Sequence, residues 1–163
     1  MHPDPARTPA WSPSRGAIGL WTAEGALGAL ALTVVVVALE VFLPLPTWLA
    51  LLLPVLVGVE AVVAVGIRPR LRFRVHRWEI TAEAVYTLTG WLSRTWTLVP
   101  ISRIQTVDVT RGVVQQLFGL ASVAVLTASS QGTVRIPHLD ADVAARVADD
   151  LAHRAELVRD EAT

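Results

Sequence analysis

Two adjacent apolar segments constrain this chain more than any other feature of its sequence. The first covers residues 18–43 and the second residues 45–67, and Glu40 and Glu60 are the only ionisable residues from residue 26 to residue 67. Each segment is close to the ~20 residues that a helix needs to cross ~30 Å of hydrocarbon. Lipid offers the backbone no hydrogen-bonding partner, so both segments are expected to be helical. The sequence therefore predicts a transmembrane hairpin; buried helices of a soluble protein are the alternative.

The link between the two segments fixes how the helices run. It is residues 43–47 (LPLPT), which is short enough to require antiparallel helices, and it carries no positive charge. Five arginines follow the second segment: Arg68, Arg70, Arg72, Arg74 and Arg77. Positive residues are retained on the cytoplasmic side of a membrane. We therefore expect both termini in the cytoplasm and the link outside.

Glu60 is the unusual residue of the second segment, about two turns inside its cytoplasmic end. An intramembrane carboxylate is a functional candidate by default. The structural alternative is a side chain that snorkels to the interface, is protonated, or bonds within an oligomer. Glu40 lies closer to the outer face.

The remaining chain divides into two tails and one soluble domain. Residues 1–17 begin with a proline-rich stretch, MHPDPARTPAWSPSRG, and are expected to be a disordered tail. The transmembrane hairpin then occupies residues 18–67, a soluble domain residues 68–158, and a short tail residues 159–163.

The soluble domain shows the two-residue alternation of β-strands. LRFRVHRWEIT predicts a first strand from Leu71, and VYTLTG with WLSRTWTLVP predicts a hairpin whose tip carries Trp91 and Leu92. IQTVDVTRG predicts a strand with one solvated face, ASVAVLTAS a buried central strand, and TVRIP a short one. Between them, VVQQLFGL is expected to form a helical turn that places Leu117 and Phe118 in the core.

The C-terminal residues predict one amphipathic helix. Apolar side chains recur every three to four residues, at Val143, Val147, Leu151, Ala155 and Val158. Asp140 is a candidate N-cap. Six or seven antiparallel strands followed by one helix give an α+β domain, a small barrel or sandwich capped by the helix.

Composition excludes several classes of function. The formal net charge is zero, which argues against a nucleic-acid binder. The chain has no cysteine, which excludes disulfides, thiolate metal sites and cysteine nucleophiles. His76, His138, Asp108 and Asp140 do not form a recognisable catalytic or metal-ligand spacing. We therefore expect no enzyme activity, no cofactor, no metal and no small-molecule substrate.

Several stretches resemble the bacterial pleckstrin-homology-like membrane proteins of the YdbS type. They are RWEIT, the turn at Gly90, VPISRIQTVDV, FGLASVAVLTA and IPHL, and with the hairpin they span residues 18–155 in the order typical of that family. The resemblance implies a pleckstrin-homology fold, two packed antiparallel sheets closed at one corner by the helix, and no established enzyme activity. A departure is Arg111, Gly112 and Val113, where the family usually has Gln-Gly-Pro.

The main functional hypothesis is a non-catalytic interaction module or scaffold in the bacterial cell (inner) membrane. It would present its cytoplasmic domain to other membrane proteins or to itself, with Trp91 and Leu92 as the candidate contact. The alternative is a reader of anionic lipid headgroups through Arg68, Arg70, Arg72 and Arg74. Specific inositol-phosphate binding is not expected, because TAEAV, which corresponds to the headgroup-binding loop of eukaryotic pleckstrin-homology domains, has no basic residue and contains Glu83.

Overall fold

The computed structural model describes residues 8–90, 93–127 and 132–161. The chain divides into two compact units. One is Ile18–Leu71, and the other joins the N-terminal segment Met1–Ala17 to Arg72–Thr163.

Two long helices account for the apolar segments. Helix α1 is Gly16–Phe42, and α2 is Thr47–Val62. Helix α2 runs through a π-helical turn, Val63–Ile67, into α3, Arg68–Val75, so that Thr47–Val75 is one continuous helix. Both helices are long and apolar enough to cross a membrane, and most of their large apolar side chains are exposed. Lipid would cover such surfaces.

The strand predicted from Leu71 is not observed. Residues 68–75 are helical, and the first strand begins only at Arg77. Extending an existing helix costs far less than nucleating one, and Arg and Leu are good helix formers. The alternation of Arg with apolar residues was therefore a misleading signal, because the preceding helix continues through it.

The other unit contains two antiparallel sheets of three strands. The first sheet is β1 (Arg77–Ile80), β2 (Ala84–Gly90) and β3 (Arg94–Pro100), in that order. A 3₁₀ turn, Ile101–Arg103, leads to the second sheet, β4 (Ile104–Thr110), β5 (Leu120–Thr127) and β6 (Thr133–Asp140). Helix α4 (Val113–Leu117) connects β4 to β5, and α5 (Ala141–Glu161) follows β6.

The two sheets and the C-terminal helix fit the α+β fold that the sequence predicts, and of its two forms, a barrel or a sandwich, a closed barrel is not observed. Within the described residues, strand pairing joins β1–β3 to one another and β4–β6 to one another, and no pairing joins the two sheets. The arrangement is therefore two separate sheets.

The core lies where α5 packs on the sheets. Val85 and Val99 from the first sheet and Val123, Val125 and Ile136 from the second are buried together with the α5 side chains. The predicted stripe on α5 is confirmed at Leu151 and Ala155, which are buried, while Val143, Val147 and Val158 pack partly buried against the core. Strand β5 is the centre of its sheet, and nearly all of its side chains are buried, as its apolar sequence indicates.

Leu117 and Phe118 do not enter this core. The side chain of Leu117 is 80% exposed and that of Phe118 is 37% exposed. The physical reason is that α4 is a single helical turn, and its Gln115 faces the sheet and bonds there, which turns the apolar side chains outward.

The segment just before α1 also contacts the sheets, although the sequence analysis assigned it to a disordered tail. Trp11 and Trp78 of β1 exchange backbone hydrogen bonds of 2.9 and 2.8 Å, and their rings lie 6.5 Å apart. Ser14 donates its backbone N–H to the carbonyl of His138 and its hydroxyl to Asp140 Oδ1. Asp140 stands directly before α5 and thus receives a partner from the N-terminal segment.

Candidate functional site

The four arginines that the sequence analysis grouped together lie on α3. Because an α-helix turns by about 100° per residue, residues two apart face nearly opposite directions and residues four apart share a face. Arg68 and Arg72 therefore share one face, and Arg70 and Arg74 share the other. Arg70 and Arg74 are exposed, whereas Arg68 and Arg72 are half-buried. The helix thus places the four arginines on two faces, whereas the predicted strand would have placed them on one.

Arg68 and Glu60 form an ion pair. The Nη2 atom of Arg68 lies 3.1 Å from Oε1 of Glu60, eight residues earlier. In a regular α-helix residues eight apart are about 80° out of line, whereas residues seven apart are within about 20°. The π-helical turn between them takes up about one extra residue, which brings Arg68 onto the face of Glu60.

Pro69 gives this π-helical turn a physical cause. Proline has no N–H to donate, and its ring clashes with the carbonyl four residues earlier in a regular helix. Directly before it, the N–H of Arg68 reaches back five residues to the carbonyl of Val63. The Gly66 carbonyl accepts a hydrogen bond from Arg70 Nη1. The turn accommodates Pro69 and at the same time aligns the ion pair.

The π-helical turn also packs closely against α1. A Cβ added at Gly25 would collide with the carbonyl group of Ala64, so only glycine fits there, and Ala64 is buried. Small residues at such points let membrane helices approach closely. This close contact between α1 and the π-helical turn, at Gly25 and Ala64, lies one helical turn from the Glu60–Arg68 pair.

A polar cluster that the sequence analysis did not assemble lies between α4, β5 and β6. Gln115 accepts the N–H of Gly112 on Oε1 at 3.0 Å. Its Nε2 lies 2.8 Å from Ser122 Oγ and 3.0 Å from His138 Nδ1. Ser122 Oγ also accepts the backbone N–H of His138 at 3.3 Å. Since the amide oxygen faces Gly112, Nε2 donates to the ring, and Nδ1 of His138 carries the lone pair.

This cluster holds His138 in its neutral form. Burial, together with the positive charges of His76 and Arg72, lowers the pKa of His138 to about 4. Burial is also the main cause that lowers the pKa of His76, whose Nδ1 lies 2.8 Å from the carbonyl of Arg72. His138 has a φ of 58°, a left-handed conformation that is uncommon outside glycine. The hydrogen bonds from Gln115 and to Ser122 hold it there.

Helix α4 presents an exposed apolar face that the sequence analysis placed in the core. Val113 is 79% exposed, as much as Leu117, and Phe118 adds a partly exposed ring. We call Val113, Leu117 and Phe118 the α4 face. The signal that sequence reasoning missed is Gln115, because a polar side chain in the middle of a single turn competes with its apolar neighbours for the side facing the protein.

The remaining predicted residues are not brought together. Trp91 and Leu92, which stand between β2 and β3 in the sequence, lie outside the described residues. Asp108 is exposed on β4, and Asp140 accepts the hydroxyl of Ser14. Across the described part of the chain, no group of three or more His, Asp or Glu side chains is placed to hold a metal ion.

Comparison with known proteins gives this geometry a family. The bacterial PH domain family matches residues 25–155, which include most of the hairpin and both sheets. The transmembrane protein YdbS of Bacillus subtilis (strain 168) is 27% identical over 132 residues, covering 81% of this chain and 82% of its own. No solved structure matches the chain. Because the family match extends over most of the chain and includes both sheets and most of α5, the chain belongs to the bacterial PH domain family.

Proposed function

We propose that this chain is a membrane-anchored, non-catalytic interaction module that presents its PH-like domain to other membrane proteins of the bacterial inner membrane. The observation that carries the proposal is the combination of two exposed apolar helices with a separate unit that has its own core. The name of the Bacillus subtilis relative, a transmembrane protein, supports the membrane anchor. Tethering raises the effective concentration of the domain near other membrane proteins.

In this proposal both termini and the PH-like domain lie in the cytoplasm. The arginines of α3 follow the second apolar helix directly, and the link between the helices carries no positive charge. Positive charge beside a membrane helix is retained on the cytoplasmic side.

The tip of the β2–β3 hairpin is the proposed contact for a protein partner. Trp91 and Leu92 occupy this tip in the sequence, and Trp96 of β3, close to it, is 39% exposed. Aromatic side chains are enriched among the residues that dominate the free energy of protein–protein binding. The apolar character of the tip thus continues into a described strand.

Lipid reading by the arginines is the weaker alternative. Each arginine near an anionic leaflet gains about 1 kcal/mol. In this structure Arg68 is bonded to Glu60 and Arg70 to the Gly66 carbonyl, and the four arginines are divided between two faces of α3. Such contacts favour a role in fixing and orienting the helix over headgroup recognition.

The test is crosslinking in native membranes followed by purification of the tagged chain. Wild type is compared with the Trp91→Ser/Leu92→Ser double variant and with Glu83→Ser, a matched control at the exposed β1–β2 turn. A truncated chain ending near Arg77 reports what the hairpin alone recovers.

A protein recovered with wild type and Glu83→Ser, but not with the double variant or the truncated chain, supports the proposed contact. Identical recovery from all four chains contradicts the adaptor function. If Arg70→Gln/Arg74→Gln instead abolishes a lipid association that weakens with added salt, the lipid alternative replaces it.

A further inference from the structure

The α4 face is an apolar surface without a partner of its own in the described part of the chain. Val113, Leu117 and Phe118 project from one helical turn, and Arg111 is exposed just before it. There is no acidic residue between Arg111 and Leu120 in the sequence. An exposed cluster of apolar side chains beside an arginine is typical of segments that lie in a membrane interface.

The position of α4 within its own unit indicates what covers this face. Gly16, the first residue of α1, lies against the carbonyl of Phe118 and the side chain of Leu120; a Cβ at Gly16 would come within 3.5 and 3.3 Å of them. On its other side, Gln115 of α4 bonds to His138, whose carbonyl accepts the backbone N–H of Ser14, two residues before α1. Helix α4 is therefore close to the point at which this unit continues into α1.

The length of α1 determines how far a membrane-spanning α1 would extend beyond the hydrocarbon layer. Its 27 residues extend for about 40 Å at 1.5 Å per residue, longer than the ~30 Å hydrocarbon layer. A membrane-spanning α1 would therefore extend beyond the hydrocarbon, with Gly16 at one of its two ends. Because the Phe118 carbonyl lies beside Gly16 within the same unit, the end of α4 would then lie near the membrane surface.

We propose that the α4 face rests on the lipid bilayer, with Val113, Leu117 and Phe118 in contact with the upper acyl chains and Arg111 among the headgroups. This contact rests on the proposed membrane anchorage, and it gives the PH-like domain a second attachment that holds it at the surface. The occupant is lipid because the face is the size of one helical turn, carries a basic residue, and adjoins the start of the membrane anchor.

The experiment uses the full chain, which contains no native cysteine, so that single-cysteine variants can be labelled without background. An environment-sensitive NBD fluorophore is attached at Leu117→Cys, at Val35→Cys and at Glu156→Cys. Each chain is inserted as a single copy into nanodiscs of phosphatidylethanolamine and phosphatidylglycerol. Quenching by a shallow spin-labelled lipid, by a deep one and by aqueous iodide is then compared.

The two other sites are internal controls. Val35 is an exposed residue inside α1 and reports membrane insertion. Glu156 is exposed on α5, about 22 Å along the helix from its first residue. All three positions are exposed or on a helix surface, so that labelling does not disturb the core.

We expect the Leu117 probe to be quenched several-fold more by shallow spin-labelled lipid than the Glu156 probe, and to be protected from iodide. A Leu117 probe as open to iodide as the Glu156 probe, while the Val35 probe is quenched by the deep lipid, overturns the α4 contact but leaves the membrane anchor intact. A Val35 probe that is not quenched by lipid overturns the anchor as well. Protection of Leu117 in native membranes but not in these nanodiscs assigns the face to a protein partner and also overturns the proposal.

Discussion

At the scale of single residues, His138 carries the most unusual conformation in the described domain. A non-glycine residue in the left-handed region costs on the order of 1–3 kcal/mol. Gln115 and Ser122 offset that cost with hydrogen bonds to the ring and from the backbone of His138. The hydrogen bond that Gln115 donates to the ring requires a neutral imidazole. The strained conformation of His138 therefore depends on the protonation state of its own side chain.

Stability should therefore fall when the pH drops from about 6.5 towards 4. The pKa of His138 is near its usual 6.5 in the unfolded chain and about 4 in the folded one. Between these values the unfolded state binds more protons, so stability is complete above pH 6.5 and declines below it. The loss at pH 5 is expected to be about 1 kcal/mol after allowance for partial exposure.

The variant His138→Asn tests this expectation, because asparagine tolerates the left-handed conformation and does not titrate. We expect the difference in thermal midpoint between pH 7 and pH 5 to shrink, with a remainder from His76, whose pKa burial also lowers. Arg72 and His76 are the charged neighbours that lower the pKa of His138. An unchanged difference would show that another group controls acid stability.

Gln115→Glu should move the pKa of His138 in the opposite direction. A carboxylate can still accept the N–H of Gly112, but its second oxygen then faces Nδ1 of His138. An opposite charge at that distance raises the pKa of a histidine by about 1–3 pH units. The measurement is an NMR titration of the histidine ring protons. Gln116→Glu, one residue further on the exposed side, adds the same charge and should leave His138 nearly unaffected.

At the scale of helices and strands, a proline determines how the membrane helix joins the domain. Pro69 interrupts the regular hydrogen bonding, the π-helical turn absorbs the interruption, and the resulting rotation pairs Arg68 with Glu60. The turn also provides Ala64 as the contact for Gly25. One local irregularity therefore sets both the ion pair and the close packing of the hairpin.

Gly25→Ala should destabilise this packing, whereas Gly28→Ala should not. Both changes raise helix propensity by up to about 1 kcal/mol. A Cβ at Gly25 collides with the Ala64 carbonyl, while a Cβ at Gly28 meets nothing within 4 Å. We expect a lower midpoint for thermal loss of helical circular dichroism in detergent for Gly25→Ala, and an equal or higher one for Gly28→Ala. Equal midpoints for the two variants would mean that the contact does not stabilise the hairpin.

The sequence was sufficient where one pattern acted alone. The apolar stripe that includes Leu151 and Ala155 predicted α5, and the apolar run of β5 predicted a central strand. Prediction from the sequence failed where two patterns compete, because residues 71–75 alternate like those of a strand but continue a helix. The contacts of Gln115 with Ser122 and His138 were not predictable, because they depend on the packing of α4 and two strands.

At the scale of the whole molecule, the distribution of charge is what should orient the chain in the membrane. The two apolar helices are of similar length, 27 and 29 residues, so their length alone gives no preferred direction. The arginines of α3 and the uncharged link supply the asymmetry. These arginines also belong to a helix that is continuous with α2. The residues that should orient the chain in the membrane therefore also lead into the PH-like domain.

Single cysteines and a membrane-impermeant maleimide on intact spheroplasts can measure that orientation. In the otherwise unchanged chain, Thr47→Cys at the start of α2, next to the link, should be labelled from outside, and Glu156→Cys in α5 only after permeabilisation. Moving the positive charge, with Arg70, Arg72 and Arg74 changed to Gln and Pro44 and Pro46 changed to Arg, should reduce labelling at Thr47. The positive-inside rule counts the arginines of both flanks, so the Gln changes alone should have a smaller effect. Labelling of Glu156→Cys in intact spheroplasts would place the domain outside the cytoplasm, and a cytoplasmic partner for it would then be ruled out.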